Sequence, residues 1–500
     1  MTDHNEAVGR LGKNNRLALL GSLSNGALGF ILVIVLAQLG DDVTGVVFVA
    51  AGVFNIAMQS SVLGTDASLV KFLAPARKAG EETSLAPIIR TALVPVIGIA
   101  ITLAILVAIF AGPIGTLFIQ DNDSVAPSDV TTAIRIVAVV FPIGAIAMSL
   151  LAATRGLGNF VTTAGADQIA RPATQLIGLA IVVLTGAGPV AATAVWVGPI
   201  IISALAAGSW LRKEVPPSDG KTIDTKDFWS FTRPHAGTGM LRVSIRWLDT
   251  LVVGALLGVG AAGVYTTATR LLKLGDFVNQ ATFQSAAPQI AEDLGTGNLG
   301  QATSVYRSAS TWLVLATWPL YLGALFYAPE ILQIVFGGDF VAGANALRIL
   351  SATMLVASAV GPIEAVLVMS GRTKQNLVNN SVALALNVVL GILLIPPFGL
   401  EGAAIAWAIS LLCTNLLPVF QVYRSLGMHV LSRIHIVTMA VIAAGFALAA
   451  ALMASLDLAA IPTVIAGLAL GAVPLLLFAF WKREALALDR LLPGKLPKKR

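Results

Sequence analysis

The chain has 500 residues, 56% of them hydrophobic and only 12% charged, with a formal net charge of +6 and a mean hydropathy of +0.85. Soluble domains carry about 25% charged residues, so this composition excludes a globular protein in water and leaves a polytopic membrane protein. The single cysteine, Cys413, excludes disulfide, zinc-finger and iron–sulfur frameworks, and His4, His235, His429 and His435 show no ligand spacing, so neither a metal nor a cofactor is expected.

In chain order, spans are expected near 17–39, 45–63, 91–111, 131–153, 169–186, 190–211, 236–257, 262–288, 309–328, 342–369, 377–396, 400–422, 434–455 and 461–481. The runs are continuous rather than alternating, which favours helices over a β-barrel. The fold class expected is therefore an all-α polytopic membrane protein of about fourteen transmembrane helices. Arg10, Lys13 and Arg16 precede the first run, which lacks a small-residue cleavage site and is expected to remain as a span. Asp66 and Lys71 are expected to end the second span as gate or interface charges. The polar linker 212–235 is expected to form an interfacial helix with Phe228, Trp229 and Phe231 at headgroup depth.

The stretch 242–276 is the most unusual, because two apolar runs joined by a glycine-rich turn carry Arg242, Arg246, Asp249, Arg270, Lys273 and Asp276. Arg242, Arg246 and Asp249 fall on one helical face, with Arg246 and Asp249 placed to pair. An ionisable group at mid-membrane costs on the order of 2.5–3.5 kcal/mol on the mildest scale, so such groups face a bundle interior or a wet cavity. Arg242, Arg246, Arg270 and Lys273 are thus candidates to bind an anionic substrate, although Arg242 has the alternative of snorkelling to the interface. Asp249 and the lone acid Glu364, which follows Gly361 and Pro362, are candidates for coupling or gating, against a structural ion pair and a helix-kink hydrogen bond respectively. Arg135 and Arg348 occupy equivalent places in a repeat and read as packing residues. Asn25, Asn55 and Gln59 read as cavity lining or interhelical hydrogen bonds.

Loop charges give the orientation. Loops on one side hold no Lys or Arg but do hold Asp41, Asp42, Asp121, Asp123, Asp129, Glu330, Asp339 and Asp457, while the other side carries the basic residues. Positive-inside bias then puts both termini in the cytoplasm. Gly40, Gly45 and Val46 recur as Gly258, Gly263 and Val264, Arg135 recurs as Arg348, and Trp196 as Trp407, in the same order and at nearly constant spacing. The chain is accordingly divided into a tail (1–16), a six-helix bundle (17–211), the linker (212–235), a second six-helix bundle (236–424), an extra helix pair (425–481) and a basic tail (482–500). A pseudo-two-fold axis along the membrane normal is expected to relate the bundles.

Four stretches resemble the Wzx-type polysaccharide-biosynthesis flippase family, within the superfamily of multidrug, oligosaccharidyl-lipid and polysaccharide exporters. They are Trp247, Asp249 and Gly258 with Tyr265; Gly337 and Phe340 with Arg348; Ser370, Gly371, Arg372, Lys374 and Asn376; and Asn387 with Pro396, Gly399, Gly402 and Trp407. The extra helix pair is similar to that of the fourteen-helix lipid II flippases of the same superfamily. The resemblance implies a transporter without covalent catalysis that moves a polyprenyl-pyrophosphate-linked oligosaccharide to the outer leaflet of a bacterial cytoplasmic membrane. Membrane lipids and the glycan polymerase and glycosyltransferases of the same pathway are the partners it implies, and nucleic acid is not among them. Two alternatives stay open: a cation-coupled multidrug exporter, which favours an acidic aromatic cavity, and a membrane-embedded glycan polymerase or glycosyltransferase, which usually needs sizeable outer loops. No GxxxxGK[ST] motif occurs, so ATP hydrolysis by the chain itself is not expected.

Overall fold

A computed structural model describes residues 21–121, 123–218, 224–429, 431–456 and 458–482. The N-terminal tail with Arg10, Lys13 and Arg16, the linker residue Lys221, Asp457 and the basic tail beyond Lys482 lie outside the described residues. The chain is all-helical, and among the described residues ten helices are long and apolar enough to cross a membrane. About fourteen were expected, and the difference has physical sources. Two of the expected spans run together in one 54-residue helix, Thr373–Leu426, which breaks only at Gly399. The first span is described over Gly21–Ala37. The helices Thr225–Leu257 and Val259–Gly295 are long enough but interrupted by the ionisable residues of 242–276.

The chain forms two compact units, Met1–Gly263 and Val264–Arg500. In the first, α1 (Gly21–Ala37), α2 (Asp41–Val62), α3 (Thr65–Lys78), α4 (Glu82–Ile109), α5 (Ala111–Thr116) and α6 (Pro127–Gly156) are followed by a π-helical segment, Thr163–Ala170, and by α7 (Arg171–Thr185), α8 (Pro189–Val197), α9 (Ile200–Glu214) and α10 (Thr225–Leu257). Helix α6 is the hub, packing on α2, α3, α4, α5, α8 and α9. Small residues on α6 permit this: Ala133, Ala145, Ala147, Ala152 and Ala153 are fully buried, and Gly144 lies against Met58 and Phe54. In membranes such close approach replaces the hydrophobic effect as the source of helix association.

The second span closes at Val62, where it was expected to end near residue 63, so that Asp66 and Lys71 lie beyond it rather than at its end. Leu63 and Gly64 both adopt left-handed φ values, of 55° and 78°, which end α2 and start α3 as a separate helix carrying Asp66 and Lys71. The described part of the linker, from Thr225 onward, is helical and runs unbroken through Pro234 to Leu257. Its Phe228 is fully buried in an apolar cluster with Leu69, Leu73, Ile88, Ala152 and Leu211 rather than turned to headgroups, and its ring centroid lies 5.3 Å from that of Phe72.

At the acidic face the repeat becomes visible as backbone geometry. Gly40 and Gly258 precede α2 and α11 (Val259–Gly295) with φ/ψ of 91°/168° and 94°/172°, a conformation open to glycine and costly to other residues. The two helix starts then cross at Gly45 and Gly263. A Cβ on Gly45 would collide with the Val259 carbonyl oxygen, and one on Gly263 with the Asp41 carbonyl oxygen, so each repeat meets the equivalent atom of the other. Asp123 accepts hydrogen bonds from the Val259 and Gly260 amides at 3.4 and 3.3 Å, and Asp42 accepts one from the Ser124 amide at 2.7 Å. Asp123 thus caps the N-terminus of α11, where dipole and unpaired N–H groups favour negative charge.

In the second unit α12 (Leu299–Phe326) is followed by α13 (Ala328–Val335), a short 3-10 segment, α14 (Ala344–Val360), α15 (Ile363–Met369), α16 (Thr373–Leu426), α17 (Arg433–Ser455) and α18 (Ala460–Trp481). Helix α12 packs on α14, α17 and α18. The chain breaks between α14 and α15 at Gly361 and Pro362, and donors from neighbouring helices hold the ending of α14. Tyr306 donates to the Val360 carbonyl, His435 Nε2 pairs with the Ala359 carbonyl at 2.9 Å, and Trp318 donates to Ser358 Oγ at 3.1 Å.

Gly45→Ala or Gly263→Ala should overpack the crossing and destabilise the protein by about 1–3 kcal/mol, read as a lower unfolding temperature in detergent. Gly98→Ala, where a Cβ would meet nothing within 4 Å, should be neutral. Unchanged melting of the Gly45 variant would show that the crossing is loose.

Candidate functional site

Charged residues gather at the basic end of the first unit and along α10, and in the second unit along α11 and around α15. In the first unit the organising group is Arg155, in the last turn of α6. It lies within electrostatic reach of Asp66 on α3 and of Asp167 in the π-helical segment. Asp167 Oδ1 accepts a hydrogen bond from Ser203 Oγ of α9 at 3.0 Å and pairs with Arg171 Nε at 3.3 Å. Two carboxylates and two guanidiniums therefore tie α3, α6, α9 and the π segment together in half-buried surroundings, where mutual attraction is screened less than at a surface. The π segment matters here, since its extra residue per turn shifts Asp167 relative to a regular helix; such bulges are frequent at functional sites.

Lys71, on the adjoining helix α3, is exposed and stacks its ammonium 3.6 Å from the centroid of Phe231. That contact joins α3 to α10, as does the buried Ser68–Thr232 hydroxyl pair at 2.7 Å. Further along α10, Arg242 and Arg246 are exposed while Asp249 is half-buried, its Oδ1 accepting from the Thr250 amide at 2.7 Å.

In the second unit Arg270, Lys273 and Asp276 are half-buried on α11, spaced so that they share one side of the helix. Asp276 is within electrostatic reach of the buried Tyr321. Glu364 is exposed at the start of α15, and its Oε1 accepts from Asn376 Nδ2 of α16 at 2.7 Å. Beside it a cleft of about 400 Å³ is lined by Arg372, Lys374, Gln375, Asn379 and Gln421, and Asn379 and Gln421 exchange reciprocal amide hydrogen bonds of 2.9 and 3.0 Å.

The structure thus brings Asp66 to Arg155 and Asp167, and Lys71 to α10. Arg242, Arg246 and Asp249 remain on α10, and Arg270 and Lys273 on α11. Asp167, Arg171 and Ser203 were missed as members of a charged cluster. Their signal was present, since the acid and arginine stand four residues apart just before an apolar run, but nothing in that spacing points to Arg155. Arg372 and Lys374 were noticed only as part of a motif. The inventory mixes cations, amides and hydroxyls, which can hold an anion, with the carboxylates Asp66, Asp167, Asp249, Asp276 and Glu364.

A family model described as "Polysaccharide biosynthesis protein" matches residues 45–345. The "Probable low-salt glycan biosynthesis flippase Agl15" of Haloferax volcanii is 30% identical over 171 residues, 33% of this chain and 35% of that protein. The "Probable flippase AglR" of the same organism is 28% identical over 184 residues, 36% of this chain and 38% of that protein. The matched region therefore spans little more than a third of either relative. Among solved structures, "Lipid II flippase MurJ, inward closed conformation" aligns with a TM-score of 0.75 at 13% identity, covering 94% of this chain and 99% of that one. An inward-facing multidrug resistance MATE family transporter of the MOP superfamily aligns with a TM-score of 0.63 at 15% identity, covering 82% and 94%. At such identities the likeness is one of fold.

Asp167→Ala should leave Arg171 and Ser203 without their acceptor and cost about 1–3 kcal/mol, seen as a fall in melting temperature. Asp167→Asn, which can still accept from Ser203, should lose less. Equal stability of all three proteins would mean that the cluster contributes nothing to the fold.

Proposed function

Because the chain belongs to the polysaccharide biosynthesis protein family, whose model covers residues 45–345, we propose that it is a flippase for a polyprenyl-pyrophosphate-linked oligosaccharide. It moves this lipid from the inner to the outer leaflet of the cytoplasmic membrane, with both termini cytoplasmic, to supply cell-surface glycan assembly. The printed names of the Haloferax relatives, a low-salt glycan biosynthesis flippase and a flippase, support the same substrate class. We count α1, α10, α11 and both limbs of α16 as spans beside the other apolar helices, giving about fourteen. We divide them into bundles over 17–211 and 236–424, joined by 212–235, with an extra pair over 425–481. The bundles work by alternating access, and the Gly45/Gly263 crossing with its Asp123 clasp acts as the outer gate.

The observation that carries the proposal is the set of cations on α10 and α11. Arg242 and Arg246 are exposed within a long helix, and facing them to lipid would cost several kcal/mol at membrane depth. Water and an anionic headgroup remove that cost. Arg242 and Arg246 on α10, and separately Arg270 and Lys273 on α11, supply charge-assisted donors for pyrophosphate, while Asp249, Asp66, Lys71 and Glu364 serve coupling or gating. An inside-negative potential adds about 2.3 kcal/mol per 100 mV for each negative charge carried outward, so export is favoured without ATP.

In liposomes loaded with a fluorescent lipid-linked oligosaccharide, the wild-type protein should translocate the lipid between leaflets. Arg246→Ala and Arg270→Ala should slow it about tenfold or more, the loss expected for one charge-assisted contact. Wild-type rates in both variants would remove these residues from the site. Transport of a cationic dye with no lipid translocation would replace the proposal by multidrug export.

A further inference from the structure

The basic end of the second unit holds a second polar cleft, of about 250 Å³, between the start of α12 and the start of α17. Its walls include Thr303, Ser304, Arg307 and Ser308 from one helix and Ser432 from the other, with Trp312 beside them. None of the residues lining it is acidic. Arg307 is half-buried and oriented by one hydrogen bond, Nε to the His429 carbonyl at 3.0 Å. Among the described residues no carboxylate pairs with it, so its outer N–H groups remain for a ligand. The Ser304 and Ser308 hydroxyls are exposed one helical turn apart and flank it. Ser432 caps α17 by accepting from the His435 amide at 3.2 Å, so the positive end of that helix dipole opens on the same cleft.

Depth and size narrow the ligand. Helices α12 and α17 are both candidate spans, and their far ends lead to loops without Lys or Arg. Their near ends, and the cleft, therefore lie at headgroup level on the basic face, where Trp312 suits the interface. Ligand pockets for drug-sized molecules run from about 300 to 1,000 Å³. A cleft below that range holds a phosphate with a few attached atoms, not an oligosaccharide.

We propose that the α12/α17 cleft is a phosphate-binding site filled by the headgroup of an anionic phospholipid in the leaflet at the basic face. Arg307 provides the charge, Ser304 and Ser308 donate hydroxyl hydrogen bonds, and the α17 N-terminus adds its dipole. The acyl chains lie outside the protein along the apolar flanks of the two helices. The bound lipid joins α17 to α12, and so steadies the C-terminal helix pair against the rest of the second unit. The cleft shares no lining residue with the cations of α10 and α11, and its occupant does not depend on what those cations carry.

The test uses the full chain in detergent, with dihexanoyl phosphatidylglycerol, dihexanoyl phosphatidylcholine and inorganic phosphate titrated separately and bound ligand counted by native mass spectrometry. Phosphatidylglycerol should bind about tenfold more tightly than phosphatidylcholine and more tightly than phosphate alone. Arg307→Gln should weaken its binding about tenfold or more. Ser304→Glu, which leaves the Arg307 bond to His429 in place and sets a negative charge at the mouth, should do the same and serves if Arg307→Gln folds poorly. Inorganic phosphate binding as tightly as phosphatidylglycerol would assign the cleft to a soluble phosphate and overturn the lipid. Equal binding of the two lipids, or undiminished binding in both variants, would overturn the site.

Discussion

The contact on which the arrangement of the first unit turns is the crossing of α2 with the start of α11. Both helices are launched by a glycine with positive φ, Gly40 and Gly258, and both place a glycine five residues later where the backbones meet. A side chain at either position would fall on a carbonyl oxygen of the opposite helix. Contact this close replaces side-chain burial with direct backbone packing, the main attraction available where lipid is as apolar as the protein. Asp123 sits on the same spot and satisfies amides that the start of α11 leaves open, while Asp42 holds the Ser124 amide of the adjoining loop. Geometry and electrostatics thus agree on one register for two helices whose directions carry their neighbours with them.

A second constraint is that polar groups within an apolar chain must find partners. At the Gly361–Pro362 break the last carbonyls of α14 are met by Tyr306 and His435, which explains a buried histidine and a buried tyrosine without any catalytic role. At the end of α6, Arg155 is balanced by Asp66 and Asp167. The cations of α10 differ, since Arg242 and Arg246 stand exposed within a membrane-length helix. That contrast separates charges that the fold pairs from charges that it leaves exposed, in a member of the polysaccharide biosynthesis protein family.

Membrane character, helical class and the positions of most spans were legible from the chain alone. Hydrophobic run length is a one-dimensional property, and the bilayer leaves little choice but helix for such runs. The duplication was legible too, because the glycines at 40, 45, 258 and 263 are demanded by backbone geometry that both copies share. Charge bias marked Asp123 as an acid of one face, but the contact it makes with the amides at the start of α11 is local and not expressed by that bias. What misled was continuity. Asp66 and Lys71 stand on a helix of their own, and nothing in the pattern says that Leu63 would turn left-handed. Phe228 likewise has the composition of an interfacial residue and the environment of a core one.

By itself the sequence determined that this is a polytopic helical membrane protein, built as a repeat, with rare charges inside its apolar helices. Those features depend on composition and on spacing along the chain. Only the tertiary structure decided which charges meet. Arg155 joins residues far before and after it in the chain, and Arg307 is oriented by the carbonyl of His429. Such partners are set by which helices pack together, and helix periodicity carries no record of that choice.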